Sequence, residues 1–144
     1  MAQAVGGYER MLAPAKLNLC LTITGRREDG YHLQDSVVVF TRFGDRLTIH
    51  PADSCDGVDT LDIGGPFAAD IADEADNICL QAIRGYREAG GVIGTLSVTL
   101  DKHIPVGAGL GGGSSDAAAV LRYLDRNARH RPDPERLAAL ALGL

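Results

Sequence analysis

The stretch from Pro105 to Asp116 reads PVGAGLGGGSSD, and five of the chain's 18 glycines fall between Gly107 and Gly113. That density suits neither a regular helix nor a strand, because each glycine loses the most backbone entropy on ordering and adds no packing. The segment reads as a built loop between an apolar strand and an apolar helix, and such an arrangement makes an anion site. Glycine lets the backbone approach phosphate oxygens, while the free N–H groups and the dipole of a helix start supply positive potential. Gly107, Gly109 and Gly112 also satisfy the dinucleotide spacing G-x-G-x-x-G, but no strand ending in an acid follows about 20 residues on, as that fold requires. No lysine follows the glycines, so the Walker arrangement fails too. A flexible linker is the bland alternative, and Ser114-Ser115-Asp116 ahead of an apolar helix argues against it.

Lys16 and Lys102 are the only lysines in a chain that otherwise takes its cations from arginine. A compact ammonium on a strand could polarise an attacking hydroxyl or steady a transferring phosphoryl group, although a strand lysine is more often a surface residue. Asp29-Gly30-Tyr31-His32 reads as a hairpin turn with an amphipathic tyrosine beside it. Cys20, Cys55 and Cys79 are odd in number and form no C-x-x-C pair, and His32, His50, His103 and His130 stand apart from them. Neither a disulfide framework nor a structural metal site is expected.

These residues need a scaffold, and 144 residues with 45% hydrophobic and 23% charged content form about one ordinary globular domain. A net charge of −5 argues against nucleic acid as a partner and against a polybasic membrane anchor. No apolar run reaches signal-peptide or membrane-span length, so a cytoplasmic location without membrane contact is expected.

Leu17, Leu19, Leu21 and Ile23 alternate with Asn18, Cys20, Thr22 and Thr24, which predicts a half-buried strand entered at Pro14. A turn over Gly25 to Gly30 leads to a second strand at Ser36 to Phe40. Gly44-Asp45 separates this from a third at Leu47 to His50, and Leu61 to Ile63 is a possible fourth. From Asp76 the period becomes helical, with Asp76 or Asn77 as N-cap, Ile78, Cys79, Ala82, Ile83 and Tyr86 on one face, and Gly90-Gly91 as stop. Leu96, Val98 and Leu100 form a strand that feeds the glycine loop. The helix after the loop carries Ala117, Ala118, Leu121 and Leu124 on one face, capped by Ser114, Ser115 or Asp116, and breaks at Arg129 to Pro134. A last helix opens at Pro134-Glu135 and places Leu137, Leu140, Ala141 and Leu144 on one side. The chain thus ends on an apolar helical residue, which suggests a piece of something longer.

Taken together, Pro14-Ala15-Lys16-Leu17-Asn18-Leu19, Gly30-Tyr31-His32, Asp76-Asn77-Ile78 and the run Pro105 to Asp116 resemble the GHMP kinases, small-molecule kinases. Within them the likeness is to the branch of bacterial isoprenoid synthesis that phosphorylates an alcohol bearing a cytidine diphosphate. It runs in order from about Ala13 to Leu144. The resemblance implies an α/β fold, the N-terminal lobe of a GHMP kinase related to ribosomal protein S5 domain 2, with a mixed sheet and helices on one side. It implies that Pro105, Val106, Gly107, Ala108, Gly109, Leu110, Gly111, Gly112, Gly113, Ser114 and Ser115 wrap the phosphates of ATP, with Mg²⁺ accompanying the nucleotide. Asn77 and Lys102 would lie near adenine, Tyr31 and His32 would hold the cytosine, Lys16 would be catalytic and Asn18 a substrate contact.

In the family that lysine works with an aspartate in a G-A-D-V-P-type segment directly after the last helix, and residues 1–144 stop short of it. The expectation is therefore an N-terminal ATP-binding domain over 1–144 without its C-terminal partner, lacking kinase activity by itself. Its exposed apolar face, bearing Leu137, Leu140 and Leu144, would favour self-association. Asp116 departs from members with Asn there, and lies too near the phosphates to replace the missing base. Another GHMP sugar or mevalonate-type kinase would keep the glycine loop but not Gly30-Tyr31-His32, and a non-catalytic nucleotide-binding fragment is the reading from a different class.

Overall fold

The computed structural model describes residues 8–28, 30, 32–52, 56–71 and 76–144. Its elements in order are β1 (Glu9–Arg26), β2 (His32–Pro51), β3 (Thr60–Gly64), a 3₁₀ turn (Ala68–Asp70), α1 (Ile78–Glu88), β4 (Leu96–Asp101), α2 (Gly112–Asn127) and α3 (Pro134–Gly143). The sheet runs β1-β2-β4-β3, antiparallel except for the parallel pair β3 and β4. It is mixed, as expected.

Register explains the core. Met11 pairs with Leu47, Leu47 with Leu100, and Leu100 with Ile63, so one apolar row crosses all four strands. Ile49, Val98 and Leu61 form the next row. Because side chains alternate across a strand, these rows share one face, and α1 and α2 cover it with Cys79, Ala82, Ile83, Tyr86, Val120 and Leu124. Asn77 caps α1 by accepting from the Cys79 N–H at 2.9 Å, and Gly90, at φ 103°, ends it.

Three features of the sequence reading change. Gly44-Asp45 does not divide two strands, because β2 is continuous from His32 to Pro51. The interruption is a bulge: Pro14 pairs with Gly44 and Lys16 with Phe40, leaving Thr41 to Phe43 opposite Ala15. A Cβ at Gly44 would strike the backbone of Ala13 and Pro14, so its glycine serves close strand approach rather than a turn. Second, α2 begins inside the glycines. Gly111 is its N-cap without any side-chain cap bond, and Ser114, Ser115 and Asp116 lie within the helix. Third, α3 turns its apolar side inward: Leu137, Leu140 and Leu144 are partly buried against the core, and Leu140 reaches Gly85 of α1 so closely that a Cβ there would collide.

The exposed apolar surface lies elsewhere. Beyond the bulge, β1 and β2 leave the core as a two-stranded hairpin, and Leu17, Leu19, Leu21 and Ile23 are between 41 and 64% exposed. Val37, Val38, Val39 and Phe40 on β2 are exposed too. The strand expected at 17–23 is present, but no helix covers it to make it half-buried. Asp29 and Tyr31, at the hairpin tip, lie outside the described residues. Among the described residues no helix is long and apolar enough to cross a membrane.

Candidate functional site

The site grows from the end of β4. Leu96, Val98 and Leu100 point into the core, and the same alternation carries on to Lys102, which is 4% exposed. One step beyond the Arg46–Asp101 pair, Asp45 of β2 follows Ile49 and Leu47 onto that face and is fully buried. The Lys102 Nζ donates to Asp45 Oδ2 and to Asp116 Oδ2, both at 2.6 Å. Asp45 Oδ1 accepts the N–H groups of His103 and Ile104 at 2.6 and 2.7 Å. The Lys102 backbone is held as well, its N–H donating to Gly64 O at 2.8 Å and its carbonyl accepting from Phe67 at 3.2 Å. A buried lysine with two carboxylates thus ties together β2, β4, the start of the loop and α2.

Above this cluster runs the glycine loop. Gly107, Gly109 and Gly111 have φ of 73, 73 and 68°, left-handed backbone that glycine adopts without strain. The loop is fixed to β1 by the Lys16 N–H, which donates to Leu110 O at 2.8 Å. Two cavities result. One, of about 390 Å³, is lined by the whole loop from Pro105 to Ser114 together with Asn77, Ile78, Lys102 and Asp116. The other, of about 490 Å³, is lined by Leu12, Pro14, Lys16, Phe40, Ser115, Ala118, Ala119 and Arg122. Gly111 and Ser114 belong to both, so the cavities share a wall at the N-terminus of α2.

Burial and one ammonium set against two carboxylates govern the electrostatics. Burial, with Asp45 adding to it, pushes the Asp116 carboxyl up to about 7, against the pull of Lys102. Burial works to lower Lys102, but its hydrogen bonds to Asp116 and Asp45 prevail and hold it above its ordinary value. The sign for stability follows: folded Asp116 binds its proton more tightly than the unfolded chain does, so its contribution falls as pH rises from about 4 to about 7. Cys79 lies behind the cluster, and burial first and Asp116 second push its thiol up to about 12, leaving it an unreactive core residue.

The structure brings together the residues of Pro105 to Ser114 with Asn77 and Lys102 around one cavity, and Lys16 beside it in the other; Ser115, expected with the loop, lines the Lys16 cavity instead, because it lies a turn inside α2. Asn18 is two residues along the Lys16 face of β1, where its Oδ1 accepts from the Ser36 hydroxyl at 3.2 Å. His32 pairs with Arg26 at the far end of the exposed hairpin, remote along the strand from Lys16, and Tyr31 lies outside the described residues. Asp45 escaped the sequence reading because it looked like turn chemistry. The signal was the core-facing alternation that ends in Asp45 on one strand and Lys102 on the other.

The GHMP kinases N-terminal domain model matches residues 77–144, which span the capped helix α1, β4, the loop, α2 and α3. A solved structure titled as 4-(cytidine 5'-diphospho)-2C-methyl-D-erythritol kinase superposes with a TM-score of 0.72 at 39% identity, over 94% of this chain and 45% of that one. Over residues 77–144 the chain matches a GHMP-kinase N-terminal domain. Curated relatives of the chain include the 4-diphosphocytidyl-2-C-methyl-D-erythritol kinases of Paracoccus denitrificans, 52% identical over 92% of this chain, and of Brucella abortus, 46% identical over 99%. The chain spans 43 and 46% of the length of those two proteins.

Proposed function

We propose that residues 1–144 are the N-terminal ATP-binding domain of a 4-diphosphocytidyl-2-C-methyl-D-erythritol kinase, transferring the γ-phosphoryl group of ATP to the 2-hydroxyl of that cytidyl alcohol in isoprenoid synthesis. The observation that carries this reading is the wall at Gly111 and Ser114 shared by two cavities. A nucleotide on the loop side would present its terminal phosphate at the helix N-terminus, and an acceptor alcohol on the other side would meet it beside Lys16. Phosphoryl transfer depends on positioning and on neutralising charge spread over the phosphate oxygens. Loop N–H groups and the α2 dipole supply the second on one side, and the Lys16 ammonium on the other.

Asn77 flanks the nucleotide cavity as an adenine neighbour, whereas Lys102 acts from beneath the loop, its ammonium already engaged by two carboxylates. Tyr31 and His32 would hold the cytosine and Asn18 the alcohol. Among the described residues no group of three or more His, Cys, Asp or Glu side chains is arranged to hold a metal ion, so Mg²⁺ would enter on the phosphates of ATP, as such ions commonly do. The protein would be cytoplasmic.

No carboxylate lines the Lys16 cavity among the described residues. The 144-residue protein by itself is therefore expected to bind nucleotide without turning over, since a positioned base contributes about 10²- to 10⁴-fold. Calorimetry with ATP and a coupled ADP-release assay with the cytidyl alcohol test both halves: saturable heat without ADP release is the expected result. Turnover near ~10 s⁻¹, an ordinary enzyme rate, would mean that a base exists within these residues. Self-association of this 144-residue protein is proposed to run through the exposed hairpin rather than through α3. Leu19→Lys together with Val37→Lys should then shift its scattering mass toward the monomer, while Leu142→Lys, at a 90% exposed position of α3, should not.

A further inference from the structure

Asp116 takes no part in the transfer just described, yet its chemistry is unusual. Its Oδ2 accepts from Lys102, while its Oδ1 is buried with no hydrogen-bond partner. Both oxygens of Asp45 are satisfied, one by Lys102 and the other by two backbone N–H groups. With one ammonium for two carboxylates, the unbalanced negative charge of the cluster falls on the bare oxygen of Asp116. That residue and Lys102 line the same cavity as the glycine loop.

We infer that Asp116 takes up a proton when the phosphates of a nucleotide enter the glycine-loop cavity, so that nucleotide binding is proton-linked. The inference rests on the phosphate-binding reading of the loop. The groups that face Asp116 are Lys102 from the end of β4, Asp45 from β2 and the Cys79 thiol from α1. Residues 105–115 carry no titratable side chain other than the serine hydroxyls, and Lys16 stands on the far side of Gly111. A polyphosphate brought into this cavity adds negative charge beside a carboxylate that burial already disfavours. If Lys102 keeps its place, the added repulsion drives protonation. If its ammonium turns toward phosphate, Asp116 loses its only cation and protonation is driven further. In either case a proton leaves the buffer acid and forms the O–H bond at Oδ1, and no other bond changes.

The probe is ADP with Mg²⁺, titrated calorimetrically into the 144-residue protein near pH 8 in two buffers of different ionisation enthalpy. The difference in apparent enthalpy counts protons directly. Expected is an uptake of about 0.3 to 1 proton per nucleotide, falling close to zero in Asp116→Asn. A burial role alone would not produce this count. Should the variant fail to fold, the wild-type dissociation constant between about pH 6.5 and 8.5 serves instead: binding should weaken as pH rises, by up to ~10-fold per pH unit for one linked proton. Saturable binding with equal enthalpies in both buffers and a flat pH profile overturns the inference while leaving the phosphate site intact. Equal uptake by wild type and Asp116→Asn places the proton elsewhere and overturns it too. Absence of any binding overturns the phosphate reading and this inference with it.

Discussion

Gly111→Val is expected to weaken nucleotide binding by at least ~100-fold in a protein that still folds. Space is not the obstacle, since a Cβ at this position would lie 3.5 Å from the Lys16 Cβ, an ordinary contact. Conformation is: Gly111 holds φ at 68° as the N-cap of α2, and a β-branched residue forced there costs on the order of 3 kcal/mol, equivalent to roughly 100-fold. Relaxing that strain means moving the peptide units that line the loop cavity, and the bond from Lys16 N–H to Leu110 O moves with them. The added methyl groups also enter the wall that both cavities share. Gly111→Ala should fall between the two. Calorimetric titration with ATP, paired with a circular dichroism melt, measures this, and equal affinities for wild type and valine variant would remove the loop from the phosphate site.

Lys102→Ala should destabilise the fold by about 3 to 5 kcal/mol. It leaves Asp45 and Asp116 buried together without their cation, and ionised carboxylates in that position are disfavoured both by burial and by each other. The Asp116 carboxyl, already pushed up by burial, then loses the pull of Lys102 and rises further. The folded chain therefore binds that proton more tightly than the unfolded one, and stability drops as pH climbs through the window between the two values. Melting temperatures near pH 5 and pH 8 should therefore diverge much more in the variant than in wild type. A variant as stable as wild type at both would mean that the cluster is a solvated surface group, contrary to its burial.

Much of this was legible in the residues. Alternation at 96–100, the Asn77 cap and the helix opening at Pro134-Glu135 each depend on neighbours within a few positions, and each stands where its pattern predicts. What failed depends on partners far along the chain. Gly44-Asp45 has turn composition, but pairing with Ala13 and Pro14 keeps it in a strand. Ser114 and Ser115 have capping chemistry, but a glycine with positive φ starts α2 three residues before Ser114. Asp45 joins Lys102 across 57 positions, a separation that no local period reports. The likeness to GHMP kinases was legible too, because short motifs in order survive without knowledge of contacts.

The bulge at Ala15 divides β1 and β2 into two regimes with different thermodynamic ties. Residues on the sheet side share the core, so their amide protons should exchange with solvent only when the whole domain unfolds. On the hairpin side the ladder is held mainly by its own hydrogen bonds, with both faces exposed, and its amides should exchange through local opening at far lower free energy. Lys16 sits at that frontier, on the hairpin side by sequence, yet its amide is bonded to the loop at Leu110. Its exchange rate therefore reports which of the two cooperative units owns the ammonium facing the shared wall. If it exchanges with the core, the lysine is pre-positioned; if it exchanges with the hairpin, each opening of the hairpin also withdraws it.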